Sequence, residues 1–177
     1  MTRPARACID LTALKHNFNR VRQAAPGSRV MAIIKANAYG HGLLDVARSL
    51  ADADAFGVAM LEEAIALREA GFDRRIVLLE GAFDAGEFML ISGYRVDVVV
   101  HHRSQLEMLE QTRLARPLDV WLKLDTGMHR LGFPPAAVAD VVQRLKHVGQ
   151  VGSIFFMSHF ACADEQDHPS ARDLSLI

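Results

Sequence analysis

Six short apolar runs punctuate this chain, with a stretch of helical spacing between each and the next, and few folds accept that pattern. The runs cover residues 30–34, 55–59, 75–80, 96–101, 117–125 and 152–159. Helical patterns lie between them at residues 43–50, 61–70, 84–91, 103–112 and 135–146. A further amphipathic helix precedes the first run: Asp10 stands as its N-cap, followed by Leu11, Leu14, Phe18, Val21 and Arg22, and Pro26-Gly27 marks its end. Strands alternating with helices of about ten residues imply βαβ units and a parallel sheet. The absence of any linker-like stretch favours a (β/α) TIM-type barrel as one domain over residues 1–177. A doubly wound sheet stays open as an alternative, although no G-x-G-x-x-G opens the first helical stretch.

A closed barrel of this type needs eight strands and typically about 250 residues. Six units in 177 residues therefore predict an incomplete barrel, with the first and sixth strands as unpaired edges. The tail from Asp164 to Ile177 is polar and adds no complete unit. Half the residues are hydrophobic and the formal net charge is −1, so no basic footprint points to nucleic acid or an anionic membrane. No apolar run reaches the roughly 20 residues of a membrane span. The N-terminus has arginines but no apolar run after them, which argues against a signal peptide and for a cytoplasmic protein. Cys8 and Cys162 are too few for a disulfide framework and lack metal-ligand spacing, so no metal site is expected.

The first apolar run ends on Lys35 and is followed at once by Ala36-Asn37-Ala38-Tyr39-Gly40-His41-Gly42. A lysine closing a parallel strand has its amine where α/β folds place their ligands. Two readings fit the spacing. One is a core strand whose terminal lysine reaches solvent; the other is a lysine in a partly dry site, where desolvation favours the neutral, nucleophilic amine.

Parity sorts the fifth run. Trp121, Lys123 and Asp125 share one face, and Val120, Leu122 and Leu124 share the other. In a barrel the aliphatic face meets the helices, which points a lysine and an aspartate inward. Buried charges are costly unless paired or functional. A Lys123–Asp125 ion pair is the bland solution. Arg130 follows on a loop containing Gly127 that can carry its guanidinium over the same end.

The string K-A-N-A-Y-G-H-G at 35–42 closely resembles the pyridoxal-phosphate lysine motif of bacterial alanine racemases. L-K-L-D-T-G-M-H-R-L-G-F at 122–133 resembles a second motif of that family, and M-S-H-F at 157–160, with A-C-A-D-E after it, a third. The resemblance runs from residue 3 to about residue 165, with the motifs in family order. It implies an enzyme that interconverts L-alanine and D-alanine, supplies D-alanine to the cell wall, and uses pyridoxal 5'-phosphate.

Carried over residue by residue, Lys35 is the cofactor lysine and one of two catalytic bases, and Tyr39 bonds the cofactor phosphate. Arg130 bonds the ring's phenolic oxygen and the substrate carboxylate. Lys123 matches a lysine commonly carbamylated by carbon dioxide, whose negative charge orients that arginine. His159 matches a histidine that supports an arginine facing the pyridine nitrogen. That arginine, most phosphate contacts and the tyrosine acting as second base across a homodimer interface have no counterpart in this sequence. Little or no activity is therefore expected of these 177 residues alone. A non-catalytic pyridoxal-phosphate-binding barrel is the alternative, and the Lys123–Arg130 string, which such carriers lack, argues against it. The pattern leaves His101 and His102 structural, and His41 and His129 without an assigned role.

Overall fold

In the computed structural model, residues 4–114, 116–162 and 165 are described. The expectations for residues 1–3, for Ala163 and Asp164, and for the tail 166–177 lie outside them. The chain divides into two compact units, residues 1–76 and 77–177, with the boundary inside the third strand.

The first unit opens with α1 (Leu11–Ala24), and the Asp10 carboxylate accepts from the Thr12 and Ala13 amides at 2.9 and 3.0 Å. That removes two of the orphan donors at the helix start. The apolar stripe is narrower than the spacing predicts: Phe18 is buried, but Val21 is 52% exposed. Two cations flank the buried ring. Lys15 and Arg22 lie over the Phe18 ring at 5.6 and 5.2 Å. Their charged ends reach Asp52 at 2.6 Å and Asp54 at 3.3 Å.

Strand β1 (Met31–Ile33) pairs in parallel with β2 (Ala55–Val58), Ala32 opposite Phe56. Between them lie the short segment α2 (Lys35–Tyr39) and the helix α3 (Leu43–Ser49), which buries Leu43, Val46 and Ala47. Helix α4 (Leu61–Glu69) follows and buries Leu61, Ala64 and Leu67. It leads into β3 (Arg75–Leu78).

The second unit holds α5 (Glu87–Gly93), β4 (Asp97–Val100), α6 (Arg103–Gln111), β5 (Leu118–Lys123), α7 (Pro135–His147) and β6 (Val151–Met157). Helix α5 starts three residues later than its pattern predicts. The Asp84 carboxylate is the reason: it accepts from the Gly86 and Glu87 amides at 2.7 and 3.1 Å and turns the chain before the helix begins. Several strands also stop short of their apolar runs. Glu80, His101, Asp125 and His159 all fall just beyond a strand end; Glu80, His101 and Asp125 place their backbone or side-chain groups in hydrogen bonds to the following segments instead.

Strand order is β1-β2-β3-β4-β5-β6, and the pairings described are parallel. A doubly wound sheet reverses its order at a switch point, whereas a (β/α) barrel adds each strand beside the last. The monotonic order decides for the barrel-type arrangement. Burial follows position in that order. Every residue of β2 and β4 is buried, while β6 alternates between half-buried and exposed residues, with Phe156 59% exposed. At the other end of the order, Ile33 of β1 is 41% exposed. The two outer strands thus carry the open edges expected from six units.

Candidate active site

In the first unit the chemistry is concentrated where β1 ends. Ile34 is buried, Lys35 is half-buried, and the next four residues take an unusual backbone. Ala36, Asn37, Ala38 and Tyr39 have φ of 54°, 54°, 52° and 55°, so α2 is a left-handed turn. The expected glycine turn is real, but the left-handed part is built from residues with side chains. Each such residue costs roughly 1–2 kcal/mol, with asparagine the most tolerant. A turn like this persists only where its surroundings over-determine it, and such strain gathers at functional sites.

The surroundings are specific. The Ala38 amide donates to the Ile34 carbonyl at 2.8 Å, and the Gly42 amide to the Asn37 carbonyl at 3.0 Å. The Asn37 side chain accepts from the Leu43 amide at 2.8 Å, fastening the turn to the start of α3. His41 Nδ1 lies 2.8 Å from the Ala38 carbonyl, which gives this histidine a structural place that its motif alone did not reveal. From α4, one Glu63 carboxylate oxygen accepts from the Asn37 amide at 2.8 Å. Tyr39 ends the turn 60% exposed, its ring available to a ligand.

In the second unit the candidate site is marked by its charges. Val120, Leu122 and Leu124 are buried on one face of β5, as parity predicts. On the other face Trp121 stacks on Phe155 with ring centroids 4.9 Å apart, and its Nε1 donates to Asp97 at 2.8 Å. Lys123 is only 9% exposed and sits opposite Met157 of β6. Burial pushes its amine below the ordinary lysine value, and the nearby Arg130 charge pushes it further. The Asp125 and Glu80 carboxylates oppose this without cancelling it.

The simple Lys123–Asp125 ion pair does not form. Asp125 instead folds its carboxylate into the loop after β5, accepting from the Gly127 and His129 amides at 3.1 and 2.9 Å and meeting His129 Nδ1 at 3.0 Å. Those bonds hold the Asp125 carboxyl below the usual range. The loop then closes on itself. The Asp125 amide donates to the Phe133 carbonyl and the Phe133 amide to the Lys123 carbonyl, both at 2.9 Å. Gly132 makes the closure possible: its φ is 123°, and a Cβ there would meet the Asp125 nitrogen at 2.7 Å. Arg130 is thereby carried, exposed, on a loop pinned to the strand end that bears Lys123.

His159 follows β6 by two residues and is exposed. His101 and His102 keep structural places. His101 Nε2 lies 2.9 Å from the Glu80 carbonyl, and His102 Nδ1 accepts from the Ser104 amide at the start of α6. The roles of Glu63 and Asn37 escaped the sequence reading. A capping carboxylate and a turn asparagine carry no mark of their distant partners.

Comparison with known proteins extends the pattern. The family described as "Alanine racemase, N-terminal domain" matches residues 9–176. An alanine racemase of Shewanella baltica is 55% identical over 164 residues, 92% of this chain and 46% of the relative. One from Shewanella woodyi is 53% identical over 169 residues. Among solved structures, the biosynthetic alanine racemase of Pseudomonas aeruginosa superposes with a TM-score of 0.88 at 46% identity, covering 93% of this chain and 46% of the other. That of Acinetobacter baumannii gives 0.84 at 40% identity, over 95% of this chain and 47% of the other. The chain thus spans about half the length of the relatives it matches. Its parallel six-stranded α/β fold matches the N-terminal barrel of those enzymes.

Proposed function

The chain belongs to the alanine racemase family, and from that premise we propose that it serves the interconversion of L-alanine and D-alanine with pyridoxal 5'-phosphate as cofactor. The observation that carries this reading is Lys35, half-buried at the end of β1 and heading a left-handed turn that presents Tyr39. A primary amine suits an aldehyde, and an exposed phenolic hydroxyl four residues on suits a phosphate, so the residues present fit this cofactor. Lys35 would hold it and Tyr39 would bond its phosphate. When bound, the cofactor supplies a conjugated ring that spreads the charge left as the α-proton of alanine departs.

Racemisation removes that proton on one face and returns one on the other. The Lys35 amine is the base on one face. Arg130 would hold the substrate carboxylate and the ring's phenolic oxygen, a task suited to a guanidinium that keeps its charge. His159 would support the cofactor end of the site through a neighbouring arginine.

Lys123 fits the carbamylated lysine of the family for a physical reason. Its lowered pKa enlarges the neutral fraction of the amine. That nitrogen can attack the carbon of carbon dioxide, form an N–C bond and release a proton, leaving a carbamate anion near Arg130. A cation next to a cation becomes an anion next to a cation, which relieves the repulsion now weakening the Lys123 charge.

A cytoplasmic site, a role in supplying D-alanine for the cell wall, and a homodimer in which a partner tyrosine acts as the opposite base complete the proposal. No helix among the described residues is long and apolar enough to cross a membrane. From these 177 residues alone little or no racemisation is expected, since only one of the two bases is assigned within them. Borohydride reduction in the presence of pyridoxal phosphate tests the core of the reading. A pyridoxyl group on the peptide containing Lys35, lost in Lys35→Ala, supports it; no adduct at saturating cofactor sinks it.

A further inference from the structure

Glu63 stands apart from the other acids of the first unit because one carboxylate serves two distant pieces of backbone. Its Oε1 accepts from the Asn37 amide at 2.8 Å, inside the left-handed turn. Its Oε2 accepts from the Ala59 and Met60 amides at 3.1 and 3.3 Å, where β2 passes into α4. An acid in the first turn of a helix is ordinarily accounted for by the helix start and its positive end. Here that explains Oε2 only. The other oxygen reaches 26 residues back along the chain to the run of four consecutive left-handed residues.

The strained segment needs an outside acceptor. In a left-handed turn the first amides have no partner within the turn, as in any helix. The amides of Ala38, Gly40, His41 and Gly42 donate to carbonyls of Ile34 to Ala38. That of Asn37 donates to Glu63. Asn37 is also the residue whose side chain holds Leu43, so Glu63 and α3 grip the turn at the same position from two directions.

We propose that Glu63 is a positioning residue: it clamps the turn in its left-handed form and so sets how readily Lys35 and Tyr39 capture the cofactor. The inference rests on the functional reading of Lys35 given above. Its neighbour Glu62 offers a natural control, since it too lies in the first turn of α4 but is exposed and joins neither grip. Glu63→Gln retains one carbonyl oxygen and can serve one side of the clamp; Glu63→Ala serves neither.

The test measures, for the wild-type protein, E63A, E63Q and E62A, the apparent Kd for pyridoxal phosphate by absorbance and the hydrogen exchange of the 36–43 backbone. Expected are a Kd raised about tenfold in E63A and less in E63Q, with E62A within about twofold of wild type. Exchange at 36–43 should accelerate in step with Kd, while α1 keeps its protection. Wild-type affinity in E63A, or an equal loss in E62A, overturns the clamp. Unfolding of E63A throughout the first unit also counts against it, because the effect would then be global, unless E63Q shows the graded loss with α1 intact. If the wild type takes up no cofactor, the functional reading fails by itself. Exchange then judges the clamp: faster exchange confined to 36–43 in E63A sustains it, and unchanged exchange overturns it.

Discussion

The turn after β1 and the loop after β5 are both short segments at the end of a parallel strand, and both depart from the ordinary in opposite ways. At 36–39 the backbone is strained, with φ between 52° and 55° on four consecutive residues that carry side chains. At 123–133 a buried lysine is forced away from its charged form by its surroundings and by an arginine. The first region stores its cost in a run of torsions; the second has one such residue, His129 at φ 56°, and stores its cost mainly in electrostatics. Each therefore needs different support: hydrogen bonds from neighbouring elements for the turn, and a carboxylate-organised loop for the charges.

That contrast can be broken by substitution. The largest effect is expected from Gly132→Ala, whose methyl would strike the Asp125 nitrogen and the Leu124 carbonyl carbon at 2.7 and 2.8 Å, with φ at 123°. A loss of about 2–4 kcal/mol in chemical denaturation is expected. A loss under half of that would mean the loop is not locked to β5. Next comes Asn37→Ala, which removes the acceptor of the Leu43 amide and places a less tolerant residue at φ 54°. It should cost about 1–2 kcal/mol, and no change would show that the turn is held without it.

Ala36→Gly works in the other direction. Ala36 is exposed at φ 54°, so glycine relieves torsion without emptying any packing. A gain of roughly 0.5–1 kcal/mol is expected after the extra freedom of glycine in the unfolded chain is subtracted. Destabilisation would contradict the strained backbone. The smallest change at neutral pH belongs to Lys123→Met, within about 1 kcal/mol, because a buried charge is exchanged for an apolar side chain of similar length.

The pH dependence sharpens that last case. Lys123 has a folded pKa below the 10.5 of a solvated lysine. Between its folded value and 10.5 the unfolded chain binds more protons, so stability rises with pH across that window. Denaturation series should show this rise in the wild type and a smaller one in Lys123→Met. Equal slopes would remove the electrostatic half of the comparison.

Much of this is legible in the sequence. The order of strands and helices followed from apolar runs and turn residues, since burial on both faces makes a parallel strand a continuous apolar stretch. The parity of β5 set Lys123 apart from Val120, Leu122 and Leu124, because side chains on a strand alternate by geometry alone. The family resemblance rested on strings of contiguous residues.

What tertiary structure alone decided is of another kind. The monotonic strand order, the left-handed hand of residues 36–39, the grip of Glu63 on the Asn37 amide and the diversion of Asp125 from Lys123 to its own loop all depend on partners far apart in sequence or on torsions no residue type dictates. Local sequence determines what each segment prefers. Which preference is overruled, as at Ala36 and Ala38, is settled by the hydrogen bonds that only the folded chain brings within reach.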